Sequence, residues 1–176
     1  VRAGSSLKQF QKAYGDKVQV VFKHFPFNET THLAHQASIE AHKQGKFWEY
    51  HDLVFADMQN IKRPDLERHA QQLGLNMAQF RKALDTGAHK AIIDADIGEA
   101  RTLGVDGTPS IFINGTKAAG FEFDKLKEAA DPILLKKGYK PDELPDAVPL
   151  DITMADAPSI GPKDAPVTIV EFSNFQ

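Results

Sequence analysis

The chain has 176 residues, 41% of them hydrophobic, with a formal net charge of −3 and no cysteine. That length suffices for one globular core, and the charge gives no electrostatic case for nucleic acid or an anionic membrane surface. No apolar run approaches the ~20 residues of a membrane span, and without cysteine these residues hold no disulfide staple, thiolate metal site or thiol chemistry of their own.

Residues 1–14 read as a helix, with Leu7, Phe10, Gln11 and Tyr14 on one face and Gly15 as its stop. No convincing cap precedes Val1, so the helix is expected to enter after its true start. The β-branched run VQVVF (18–22) suits a buried strand. Thr30 or Thr31 can cap the next helix, 32–44, and a second helical piece follows Gly45, its aromatics Phe47, Trp48, Tyr50 and Phe55 read as core. Pro64 and Gly74 bracket a helix over 64–73. Asn76 with Gln79 resembles a capping box for a helix through Leu84, and residues 88–103 form another with Ile93, Ile97, Ala100 and Leu103 along one stripe.

The stretch GVDGTPSIFING (104–115) is the most informative element. A glycine-rich turn leads through Thr108-Pro109 into a strand over 110–113, and Asn114-Gly115 is a strong hairpin signal, with 117–119 as the partner strand. Proline at a strand mouth removes a ladder donor. Either an ordinary trans proline opening an edge strand or a cis bond accounts for it, the cis form turning the Thr108 backbone outward. A last helix runs from Asp124 to about Lys137, expected to bend where Pro132 lacks a donor. Residues 138–162 are proline-rich and read as a tether, with DIT as a short edge strand. PVTIVEF (166–172) is a strong buried strand close to the end of the chain.

Three histidines, His32, His35 and His42, share one helical face, but no carboxylate completes a metal-binding pattern, and they are read as solvated. Glu171 interrupts the apolar strand. Buried, its carboxyl would resist ionisation and become a proton acceptor; at the strand end it would simply reach solvent. Gly104 and Gly107 lack the strand-before, helix-after context of a phosphate loop. No cofactor or metal is indicated.

The segment GPKDAPVTIVEFSNFQ (161–176) resembles the opening of the DsbA-like thiol–disulfide oxidoreductases, a branch of the thioredoxin superfamily. DKVQVVFKHFPF (16–27), QGKFWEYHDLVF (44–55) and GVDGTPSIFING resemble that family's next strand, helical insertion and cis-proline loop, in that order. The resemblance implies a thioredoxin-like α/β fold, with a mixed sheet and an inserted helical subdomain at about 28–87. It implies a domain over 1–137, the tether 138–162, and a first strand in 163–176 that belongs to this sheet or a neighbour's. It makes Pro109 the family's cis-proline, Gly107, Thr108 and Pro109 the substrate-binding loop, and Glu171 the buried acid. Implied partners are thiol- or disulfide-containing proteins or peptides, in a periplasmic or otherwise extracytoplasmic compartment, with no nucleic acid and no membrane span.

Two departures stand out. The family's first segment is here the last, and its C-P-x-C motif is missing, falling between Gln176 and Val1. A tandem-array excerpt, a circular permutant and a record lacking one segment all fit, and exchange of the last strand would give a domain-swapped homo-oligomer. The first two accounts place Gln176 near Val1. The expected function is a protein thiol–disulfide oxidoreductase domain, redox-inactive as given. The competing expectation is a non-catalytic thioredoxin-like peptide-binding or structural module.

Overall fold

The computed structural model describes residues 2–139 and 157–175. Most of the tether, the DIT segment and the juxtaposition of Gln176 and Val1 lie outside the described residues. The fold is α/β and thioredoxin-like, with a five-stranded mixed sheet in the order β3-β2-β5-β1-β4. Its strands are β1 (Val18–His24), β2 (Ser110–Ile113), β3 (Thr116–Lys117), β4 (Ser159–Ile160) and β5 (Val167–Ser173). The chain divides into a sheet unit, 1–23 with 107–172, and a helical unit, 24–106 with 173–176.

In the sheet unit the central strands are the apolar ones. β5 pairs antiparallel with β2 in the register Ser110↔Phe172, Ile111↔Glu171, Phe112↔Val170 and Ile113↔Ile169. Paired residues share a face, so Phe112 and Phe172 meet edge to face at 5.7 Å, while Glu171 falls on the face of Ile111, Ile113 and Ile169. The register is pinned by the hairpin turn. Asn114 (φ 44°) and Gly115 (φ 84°) both take positive φ, as a tight two-residue β-hairpin requires. The Asn114 side chain then clasps the start of β5, accepting from Thr168 N–H at 2.6 Å and donating to the Pro166 carbonyl at 3.1 Å.

Helix α1 (Arg2–Tyr14) lies beside α7 (Phe123–Leu134), where Phe10 stacks on Tyr14 and meets Phe123, and the Tyr14 hydroxyl donates to Asp131 at 2.6 Å. Pro132 lies inside α7, where it cannot donate to the turn before it, and beyond it the backbone departs from helical angles at Lys137 and Gly138. The edge strand β4 arises within the stretch read as a tether. At Gly161 (φ 107°) the chain passes so close to β1 that a Cβ would sit 2.2 Å from the Val18 carbonyl, so only glycine fits.

The helical unit is built on α2 (Glu29–Lys43), which touches α3 (Phe47–Ala56), α4 (Arg63–Gln72), α5 (Met77–Thr86) and α6 (Lys90–Thr102). Its cap is Asn28 rather than a threonine. The Asn28 side chain accepts from Thr31 N–H at 2.9 Å and Thr31 Oγ1 accepts from Asn28 N–H at 3.2 Å, a reciprocal box. Small residues, Ala34, Ala37, Ser38 and Ala41, let neighbours close in on several sides. Residues 34–41 are consequently all buried, the polar ones included.

Candidate functional site

The loop before β2 carries the residues singled out from sequence. Gly107, Thr108 and Pro109 are half-buried, and the Thr108–Pro109 peptide bond is cis. Ser110 fixes the loop from the strand side, its hydroxyl donating to the Gly107 carbonyl at 2.8 Å. Because Ser110 sits opposite Phe172 and Ile111 opposite Glu171, this loop and the acidic end of β5 are register neighbours in one sheet. Glu171 is 4% exposed, which settles the choice between a buried and a solvent-reaching carboxyl.

Among the described residues no group of three or more His, Cys, Asp or Glu side chains could hold a metal ion, and the sequence has no thiol. No described helix is long and apolar enough to cross a membrane.

Over residues 2–132 the chain matches the model of the DSBA-like thioredoxin domain. It belongs to that family. Curated relatives include the proteins named Na(+)/H(+) antiporter NhaA 3 of Salinispora tropica (34% identical over 106 residues, 58% of this chain and 16% of the relative) and Na(+)/H(+) antiporter NhaA of Herminiimonas arsenicoxydans (29% over 143 residues, 81% of this chain and 23% of the relative). The DSBA-like chain thus spans about a sixth to a quarter of the length of these relatives. No solved structure matches it.

In the helical unit of this DSBA-like chain lies a polar cluster that sequence reasoning missed. His35, read as solvated, is fully buried, with one ring nitrogen 2.8 Å from His24 Nδ1 and the other 3.2 Å from Asn174 Oδ1. The periodic spacing of His32, His35 and His42 was a true helical signal, but a face common to three residues does not say which neighbours cover it. The basic-aromatic run KHFPF, which begins in the last two residues of β1, was the only other hint of a buried ring there.

Proposed function

We propose that this chain is the scaffold of a protein thiol–disulfide oxidoreductase whose redox cysteine pair is not among its 176 residues. The observation that carries the reading is the family match over residues 2–132 together with the register that sets the Thr108–Pro109 loop beside Glu171. In this reading the Thr108 backbone pairs with an extended substrate strand carrying a thiol or disulfide, adding a strand by main-chain hydrogen bonds. Pro109 and Gly107 shape that edge. Glu171 exchanges protons with a thiol as it alternates with thiolate, the form that attacks a disulfide. The working compartment is extracytoplasmic, where protein disulfides persist.

The chain as it stands has no thiolate, so in an insulin-reduction assay it is expected to give no turnover above background. The same chain with a C-P-x-C segment placed after Gln176 is expected to be active. Turnover by the cysteine-free chain, with contaminants excluded, would refute the reading of the site. An inert restored chain that still binds an extended thiol-containing peptide would favour a non-catalytic peptide-binding module. Sequencing the parent reading frame on both sides distinguishes a tandem array from a permutant.

A further inference from the structure

The helical unit contains a directional chain of buried hydrogen bonds that ends on the segment leaving β5. His35 Nε2 lies 3.2 Å from Asn174 Oδ1. An amide oxygen only accepts, so in this orientation Nε2 carries the proton and Nδ1 of the same neutral ring is an acceptor. His24 Nδ1, 2.8 Å away, must then donate to it. All three side chains are nearly inaccessible, at 1%, 0% and 3% exposure for His24, His35 and Asn174. The arrangement is anchored at both ends. The His24 amide donates to Asp96 Oδ2 at 2.9 Å, and the Phe25 amide donates to the Ser173 carbonyl at 2.9 Å. Phe175 closes the cluster, its ring 4.7 Å from His35 and 5.0 Å from Phe55.

A second observation marks the same place. Asn174 Nδ2 is buried without a hydrogen-bond partner, so the amide is held by its oxygen alone. An amide that tolerates an orphaned donor is there for the bond it does make. The bond needs the proton on Nε2, which an imidazolium keeps, so what protonation changes is the Nδ1 side of the ring. A proton added to Nδ1 leaves two donors facing each other across 2.8 Å unless His24 shifts its own proton to Nε2, and in either case it puts a full charge on a ring with no exposed surface.

We propose that His35 is the positioning residue for the segment after β5: the neutral ring, bridging His24 and Asn174, fixes Ser173, Asn174 and Phe175, and protonation of that ring releases them. Two neighbouring rings, His32 and His51, work against its charging. His24 comes from β1, His32 lies one turn earlier on α2, and His51 from α3 is tied to Asp52 at 3.1 Å. Asp96 of α6 is engaged by the His24 amide. Burial, the largest influence, holds His35 down to about 3, with the bond to Asn174 acting in the opposite sense. For catalysis the proposal rests on the oxidoreductase reading, in which this segment leads toward the redox pair. The latch itself belongs to the cysteine-free chain and is testable there.

The test is hydrogen exchange of the 173–175 amides and the Phe25 amide in the 176-residue chain, corrected for intrinsic rates, between about pH 7.5 and pH 4.5. If release returns His35 to its ordinary value of 6.5, opening gains about tenfold per pH unit below that value, or about a hundredfold at pH 4.5. His35→Gln places a nontitrating amide nitrogen where Nε2 was and should keep the segment protected at both pH values. His35→Asn can mimic only Nδ1 and should leave it open at both, and Asn174→Ala, outside any helix, should do the same with the far-UV spectrum unchanged. A wild-type profile that moves less than about threefold, a His35→Gln profile as steep as wild type, or an Asn174→Ala segment as protected as wild type each overturns the proposal. A working latch in a restored C-P-x-C chain without turnover sinks only the oxidoreductase reading; turnover without the latch sinks only the latch.

Discussion

In the sheet unit the buried polar side chains are few: Glu171 shares a face with Ile111, Ile113 and Ile169, Gln19 and Lys23 are buried on β1 and Ser110 on β2, and the rest of the interior is aliphatic and aromatic. In the helical unit all seven histidines of the sequence are gathered, and five of them, His24, His35, His51, His69 and His89, are buried. His89 is paired with Glu40 at 2.8 Å, whereas His69 has neither ring nitrogen hydrogen-bonded and burial holds its basicity down. One unit therefore draws most of its stability from apolar area, whose burial is itself indifferent to pH. The other holds His35 and His69, whose basicity burial lowers, and that makes it sensitive to acid.

The largest expected effect tests the apolar side of this contrast. Phe172→Ala removes a fully buried ring that meets Phe112, and should cost about 3–5 kcal/mol in urea denaturation, with little change between pH 7.5 and pH 5 in the size of the loss. A loss below about 1 kcal/mol would mean the strand pair is not the core it looks to be.

Acid titration tests the other side. His35 binds a proton in the unfolded chain near 6.5 and in the folded chain only near 3, so between those values the unfolded state holds more protons and stability falls as pH drops. Above 6.5 there is no penalty, and at pH 5 it amounts to about 2 kcal/mol. Thermal or urea unfolding across this range should show the decline in the wild type and a shallower one in His35→Gln. Equal slopes would assign the acid sensitivity to other groups.

Smaller effects sharpen the comparison within each unit. Asn114→Ala loses both clasping bonds to β5 and places a Cβ-bearing, non-amide residue at φ 44°, which should cost about 1–2 kcal/mol and shift the hairpin amides in NMR spectra. Asn28→Ala removes one half of the capping box of α2 and should cost about 1 kcal/mol, visible as a lower melting temperature with unchanged pH dependence. A steeper acid slope in Asn28→Ala would tie the cap to the histidine cluster after all.

The sheet unit was the more legible of the two. PVTIVEF, VQVVF and GTPSIFING each announce themselves by β-branched runs and turn residues, because a strand buried on both faces needs little beyond apolar continuity. Thr108, Pro109 and Glu171 drew notice for the same reason: each breaks a pattern that is otherwise regular. Helix existence was equally readable, but the cap at Thr30 or Thr31 was misplaced, since the capping rule was applied without the competing Asn28 side chain. The histidine chain was not readable at all. His24, His35 and Asn174 come from three segments, two of them 139 positions apart, and nothing in a linear sequence marks rings that meet only after folding.

The position of β5 in the sheet bears on the order in which the molecule can assemble. It is the middle strand of five, yet it comes last in the chain, and its partner Ser110 lies 172 − 110 = 62 positions before Phe172. Helices α2 to α6 occupy one unbroken stretch and close short loops, while β1 and β2 must wait for a strand separated from both by long loops. During refolding of the 176-residue chain the helical stretch can consolidate while the sheet still has an open slot at its centre. Pulse-labelled hydrogen exchange during refolding is expected to protect α2–α6 first and β2–β5 last, and the reverse order would mean that this slot is filled before the helices consolidate.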